Sequence, residues 1–170
     1  MRRACPECAM VEFYFHFKFL HLLSAVIFLG NLIVSAMWKL QADRSGDVAV
    51  AAFAARLVAR TDKLFTGPAA FVVLMTGGML PTAGRYGFSG QGWIHAGATA
   101  FVLSGLIWLI VLIPIQRKQS AMAAAFESGG QIPAEYQALT KRWAKWGGIA
   151  TLLPIVALAL MVYRPWVTAG

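Results

Sequence analysis

A chain of 170 residues has the length of one domain, yet 59% of it is hydrophobic and only 13% charged, with a mean hydropathy of +0.64. A soluble fold of this size exposes too much surface for so few charges to cover, and disorder requires low hydrophobicity; both are excluded, leaving lipid as the main solvent. The 15 Lys and Arg against 7 Asp and Glu give a net charge of +8, which here points to loops on an anionic leaflet and not to nucleic acid.

Four apolar runs follow in chain order: Phe13 to Met37, Leu64 to Leu80, Trp93 to Ile115 and Ile149 to Tyr163. A spanning helix needs roughly 17 to 25 residues, so the last run must reach back through Trp146 and Trp143. Each is read as helix because backbone polar groups in hydrocarbon must bond within their own segment. The first run has Arg2 and Arg3 before it and a cleavage-like Val34-Ser35-Ala36 within it. Its length, with Lys18 and His21 inside, nevertheless reads as a retained span and not a signal peptide. Met10 offers an alternative start that would remove Cys5 and Cys8. The expected organisation is a short tail (1–12), a single transmembrane domain (13–165) and a C-terminal tail (166–170).

Between the spans, Asp47 to Lys63 reads as a helix capped by Asp47. Ser128-Gly129-Gly130 stops the extension of the third span and Pro133 opens another helix, Ala134 to Trp146. Tyr136, Leu139, Trp143 and Trp146 share one face of it and Lys141, Arg142 and Lys145 the other, the pattern of a helix lying in the headgroup layer, an interfacial anchor that continues into the fourth span. Lys39, Arg44, Arg56, Arg60 and Lys63 fall in the first loop, and Arg117, Lys118, Lys141, Arg142 and Lys145 in the third. Those two loops are therefore expected in the cytoplasm, with both termini outside and the protein in the inner (plasma) membrane. The fold class is all-α: an up-down-up-down bundle of four transmembrane helices with short cytoplasmic amphipathic helices.

Ionisable residues inside spans are costly and mark candidate sites. His21 lies about 12 Å into the first span, with Lys18 one turn outward on the same face. His95 and His16 lie near the outer ends of their spans, so all three histidines collect toward one leaflet. His16 is about 140° around the helix from His21 and cannot share its site. His21 has Ser24 and Ala25 one turn on, and His95 borders Ala96, Ala100 and Ser104, small faces that admit a flat ring. The pattern suits haem b, with His21 and His95 as candidate ligands, His21 the metal-binding residue, and Lys18 and Arg85 as propionate partners. Asp62 is expected to cap a helix or pair with Lys63 or Arg60 at the surface, and Pro68 to open the second span. A proton or ion path would want a carboxylate near mid-bilayer, and with none in any expected span a proton-coupled transporter is disfavoured. No nucleophile, zinc or P-loop motif is present.

Three ordered stretches resemble the bacterial family of predicted integral membrane proteins known as domain of unknown function 2269. They are Lys18-Phe19-Leu20-His21 leading to Gly30, Asp62-x-Leu64-Phe65-Thr66-x-Pro68 leading to Thr76-Gly77, and Arg142-Trp143-x-x-Trp146-Gly147 leading to Met161-Val162-Tyr163-Arg164-Pro165. The chain departs from that pattern at Lys63 and Val73. The K-x-x-H opening is also distantly similar to HemJ-type protoporphyrinogen oxidases and copper resistance D membrane proteins; the former resemblance implies haem ligation at His21. Two functions follow as expectations: a haem b protein in electron transfer or porphyrin oxidation, or a non-enzymatic accessory subunit of a larger membrane complex or homo-oligomer. A copper-handling module using Met75 or Met79 is the third and weakest reading.

Overall fold

The computed structural model describes residues 6–83, 91–126 and 131–165, with side chains from residue 13 to 81 in the first stretch. Every regular element among them is helical. Helix α1 (Pro6–Arg44) carries the first apolar run without a break. It ends at Gly46, whose φ of +72° is a conformation that only glycine adopts cheaply. The Asp47 carboxylate then accepts from the backbone N–H groups of Ala49 and Val50 and starts α2 (Val48–Thr61), as its position in the sequence implies.

Helix α2 does not stop at a membrane surface. It passes through one π turn (Asp62–Thr66) directly into α3 (Gly67–Ala83). Helix α4 (Gly92–Ile107) likewise runs through a π turn (Trp108–Leu112) into α5 (Ile113–Phe126), and α6 (Ala134–Tyr163) is a single rod. Both π turns sit just ahead of a proline. The N–H of Gly67 reaches back to Asp62 and that of Ile113 to Trp108, and the next residues, Pro68 and Pro114, have no N–H to give. An extra residue is accommodated where the bonding ladder is already interrupted. Pro68 therefore lies inside a long helix instead of opening one.

Four continuous helices of 30 to 35 residues are long and apolar enough to cross a membrane. Hydrocarbon needs about 20 residues, so each rod overshoots by roughly 15 Å. The overshoot is at the end marked by exposed Arg60, Lys63, Arg117 and Lys145. Beyond that level the bundle continues with an alanine-rich core in which Ala52, Ala55 and Ala123 are almost wholly buried against Phe126 and Tyr136. In the apolar half, large side chains such as Phe19, Val26, Phe71, Ile110 and Leu152 are exposed, which is tenable only against lipid.

One expectation about α6 is corrected here. Its first three turns do not lie flat in the headgroup layer: Tyr136 and Trp143 are buried against neighbouring helices, while Lys141, Arg142 and Lys145 face out. The same aromatic-and-cationic pattern serves a helix that packs upright on protein. In the bundle α1 packs on α3, α4 on α6 and α2 on α5. Helices α3 and α4 are not packed on each other among the described residues, which leaves a gap between them in the half away from the basic end.

Candidate functional site

Polar side chains occupy three levels along the bundle. At the level farthest from the basic end, His21 of α1 is half-buried against α3. Its Nδ1 lies 2.9 Å from Thr76 Oγ1. The Thr76 hydroxyl has one proton, and the Val72 carbonyl 2.6 Å away accepts it. His21 therefore donates from Nδ1, and Nε2 keeps the lone pair. A side chain at Gly77 would stand 3.3 Å from His21 Cε1, so glycine there lets the imidazole lie against α3.

His21 borders a cavity of about 350 Å³ in the gap between α3 and α4. Ala25, Gly77, Gly97, Ala98 and Ala157 contribute small walls, and Met161 of α6 brings a thioether. Leu22, Leu74 and Leu158 line it while being exposed, so the cavity opens toward lipid.

The structure does not bring His95 to this cavity. Helix α4 turns Ile94, Gly97 and Phe101 inward, and His95, one residue and 100° further round, is exposed. His16 is also exposed, as are Met75 and Met79. Lys18 is exposed one turn from His21, with its ammonium 5.7 Å from the Tyr14 ring. Arg85 lies outside the described residues, as do Cys5 and the side chain of Cys8. Met161, which the sequence reading passed over, is the one sulfur donor among the described residues on the cavity wall.

The middle level overturns the expectation for Asp62. It is 5% exposed and pairs with neither Lys63 nor Arg60. Thr66 Oγ1 and Asn31 Nδ2 donate to its Oδ1 at 2.8 and 3.2 Å. Gln116 Nε2 and Trp108 Nε1 donate to its Oδ2 at 2.7 and 3.3 Å. Asp62 and Trp108 are the first residues of the two π turns, so both helix irregularities converge on one hydrogen bond, as π turns at functional positions do. A carboxylate is thus buried inside the bundle, at the edge of the apolar layer and not at its middle. The signal for it was present: Asp62 and Thr66 at i, i+4, and the lone Asn31 in an otherwise apolar stretch.

The third level lies in the basic extension. Lys39, 1% exposed, donates to Asp43 Oδ2 at 2.7 Å and to the Tyr136 hydroxyl at 3.3 Å. Tyr136 and Thr140 donate in turn to Asp43 at 2.9 and 3.0 Å, and Gln119 Nε2 donates to Thr140 at 2.8 Å. Every side chain here ties one helix to another. This cluster is a fastening between α1, α5 and α6.

Long apolar rods that face lipid with carbon and bury Asp62 and Lys39 between them define a polytopic α-helical membrane protein. Residues 15–165 match the family described as predicted integral membrane protein (DUF2269), and the chain belongs to that family. No curated protein and no solved structure matches it.

Proposed function

We propose that the cavity beside His21 binds haem b, and that the protein serves one-electron redox chemistry or porphyrin oxidation in the inner membrane. The observation that carries this reading is the state of His21: Nδ1 is tied to Thr76, which leaves Nε2 as the ligating nitrogen. The residues present suit the group. A flat macrocycle needs small side chains where it passes, and Ala25, Ala98 and Ala157 supply them, while Gly77 and Gly97 admit the His21 ring and the Met161 methyl to the cavity wall. A haem iron would accept a thioether as well as an imidazole, and Met161 on α6 is the second residue that would hold it, in place of His95. Lys18 and Arg85 remain the proposed propionate partners. Bound haem would supply a redox-active iron; the chain's part is to fix the imidazole tautomer and to keep the site dry.

The test is the absorbance spectrum of protein purified from haem-replete cells. A Soret band is expected, lost in His21→Ala and shifted in position in Met161→Ala. A colourless wild-type preparation would sink the haem reading and leave the accessory-subunit reading in its place.

A further inference from the structure

A second cavity, of about 340 Å³, lies at the Asp62 level between α1 and α6. It is separate from the His21 cavity in its lining and chemistry. We propose that it binds a protonated amphiphilic amine, with the ammonium at Asp62 and the hydrocarbon tail directed toward lipid.

Three observations converge. First, the four groups facing Asp62 are all neutral donors, and the described residues include no ion-pair partner for it. Hydrogen bonds solvate a buried carboxylate but leave its charge uncancelled, and buried charges are normally paired. Second, Trp143 on the cavity wall is 5% exposed and its Nε1–H has no acceptor. Buried donors without partners are uncommon, and since an ammonium offers this one no acceptor, a water beside the ligand would have to serve it. Third, a Cβ at Gly147 or Gly148 would meet nothing within 4 Å, so the space beside them is unfilled.

The lining selects the ligand class. A metal ion would want several oxygens around one point, whereas most of this wall is aliphatic carbon and indole. The cavity is also about tenfold larger than the volume of a water molecule. An anion would meet Asp62. An organic cation gains the carboxylate and the π face of Trp108, and its chain can follow Leu112, Leu152 and Ile155. Lys39 stands 5.5 Å from the Trp143 ring, but Asp43 balances its charge. Ile33, Leu152 and Ile155 line the cavity and are exposed, which opens it sideways to the bilayer. Exposed Lys63 and Arg117, sequence neighbours of Asp62 and Gln116, mark this level as the membrane interface, where an amphiphilic amine places its charged head.

The experiment titrates n-hexylamine, hexanol and hexanoate into the purified full-length protein in dodecyl maltoside, reading tryptophan fluorescence and thermal stability. Hexylamine is expected to saturate and to bind at least about tenfold more tightly than hexanol, since a hydrogen bond to a charged group contributes that much or more. Gly147→Leu grows into empty space and keeps the helical circular dichroism, but should abolish the saturable response. Asp62→Asn should weaken hexylamine binding by about tenfold or more while leaving hexanol unchanged. Equal responses to the three compounds, no saturable response to hexylamine, or a Gly147→Leu protein that binds as wild type does would each overturn the proposal. A Soret band lies outside all these readouts, so the haem reading stands or falls separately.

Discussion

Individual charges carry different weights in this bundle, and Lys39 with Asp43 is the sharpest case. The ammonium is almost completely buried, and its countercharge sits one turn along the same helix, held by hydroxyls from Tyr136 and Thr140. Removing the acid leaves a buried cation and strips two hydroxyls of their acceptor. Asp43→Ala is therefore expected to destabilise the protein by about 3–5 kcal/mol, as breaking a buried pair does. Lys39→Met should cost less, because Asp43 keeps both hydroxyl donors. Denaturation of the purified variants checks the order, and equal losses would contradict it. The Lys39 pair was not legible in the sequence, where Lys39 is one more loop cation, and Asp62 was read as a surface acid although Thr66 and Asn31 hinted otherwise. What buries them is contact with residues far along the chain: Tyr136 for Lys39, Gln116 and Trp108 for Asp62. His21 was legible because an imidazole in an apolar run is anomalous whatever it touches. The role of His95 was not, since a one-residue step on a helix decides between cavity and lipid.

At the scale of elements, the interruption in α6 is repaired by a neighbouring helix. Pro154 lies inside α6 and cannot donate to the Ala150 carbonyl four residues back. The Ser104 hydroxyl of α4 donates to that carbonyl instead, at 2.5 Å. The bond both compensates the proline and joins α4 to α6 beside the cavities. Ser104→Ala should cost about 1–2 kcal/mol, the upper range for hydrogen bonds between membrane helices, because Pro154 has no N–H with which to replace the lost donor. In a Pro154→Ala background the regained N–H takes over, and the same substitution should cost about half a kcal/mol or less. Additive losses in that double-mutant cycle would refute the compensation. Helices themselves were readable from apolar runs, but their continuity was not. Lys63 and Pro68 look like a loop and a helix start, yet a π turn carries the backbone through both. Sequence periodicity has no term for an extra residue absorbed ahead of a proline.

The whole molecule has two unlike halves, and that asymmetry is the ground for expecting one orientation over the other. On one half lipid-facing carbon surrounds the His21 cavity; on the other, Arg44, Arg56, Lys118, Lys141 and Arg142 ring a helical extension standing about 15 Å beyond the apolar layer. Four spans and this charge bias follow from composition alone, which is why the fold class was the most secure sequence reading. The extension was not foreseen, because amphipathic loop helices that lie on a membrane and rods that rise from it share one pattern. Cations close to span ends are retained in the cytoplasm, so the extension is expected there and both termini on the far side. A phosphatase fused after Gly170 should be active and a green fluorescent protein at the same point dark. Both reporters should invert when fused in the 127–130 segment that joins α5 to α6. The opposite pattern would place the basic extension outside, and His21 would then face the cytoplasmic leaflet. Any electron donor to the proposed haem would have to approach from that side. The fusion result therefore also decides in which compartment a redox partner for His21 should be sought.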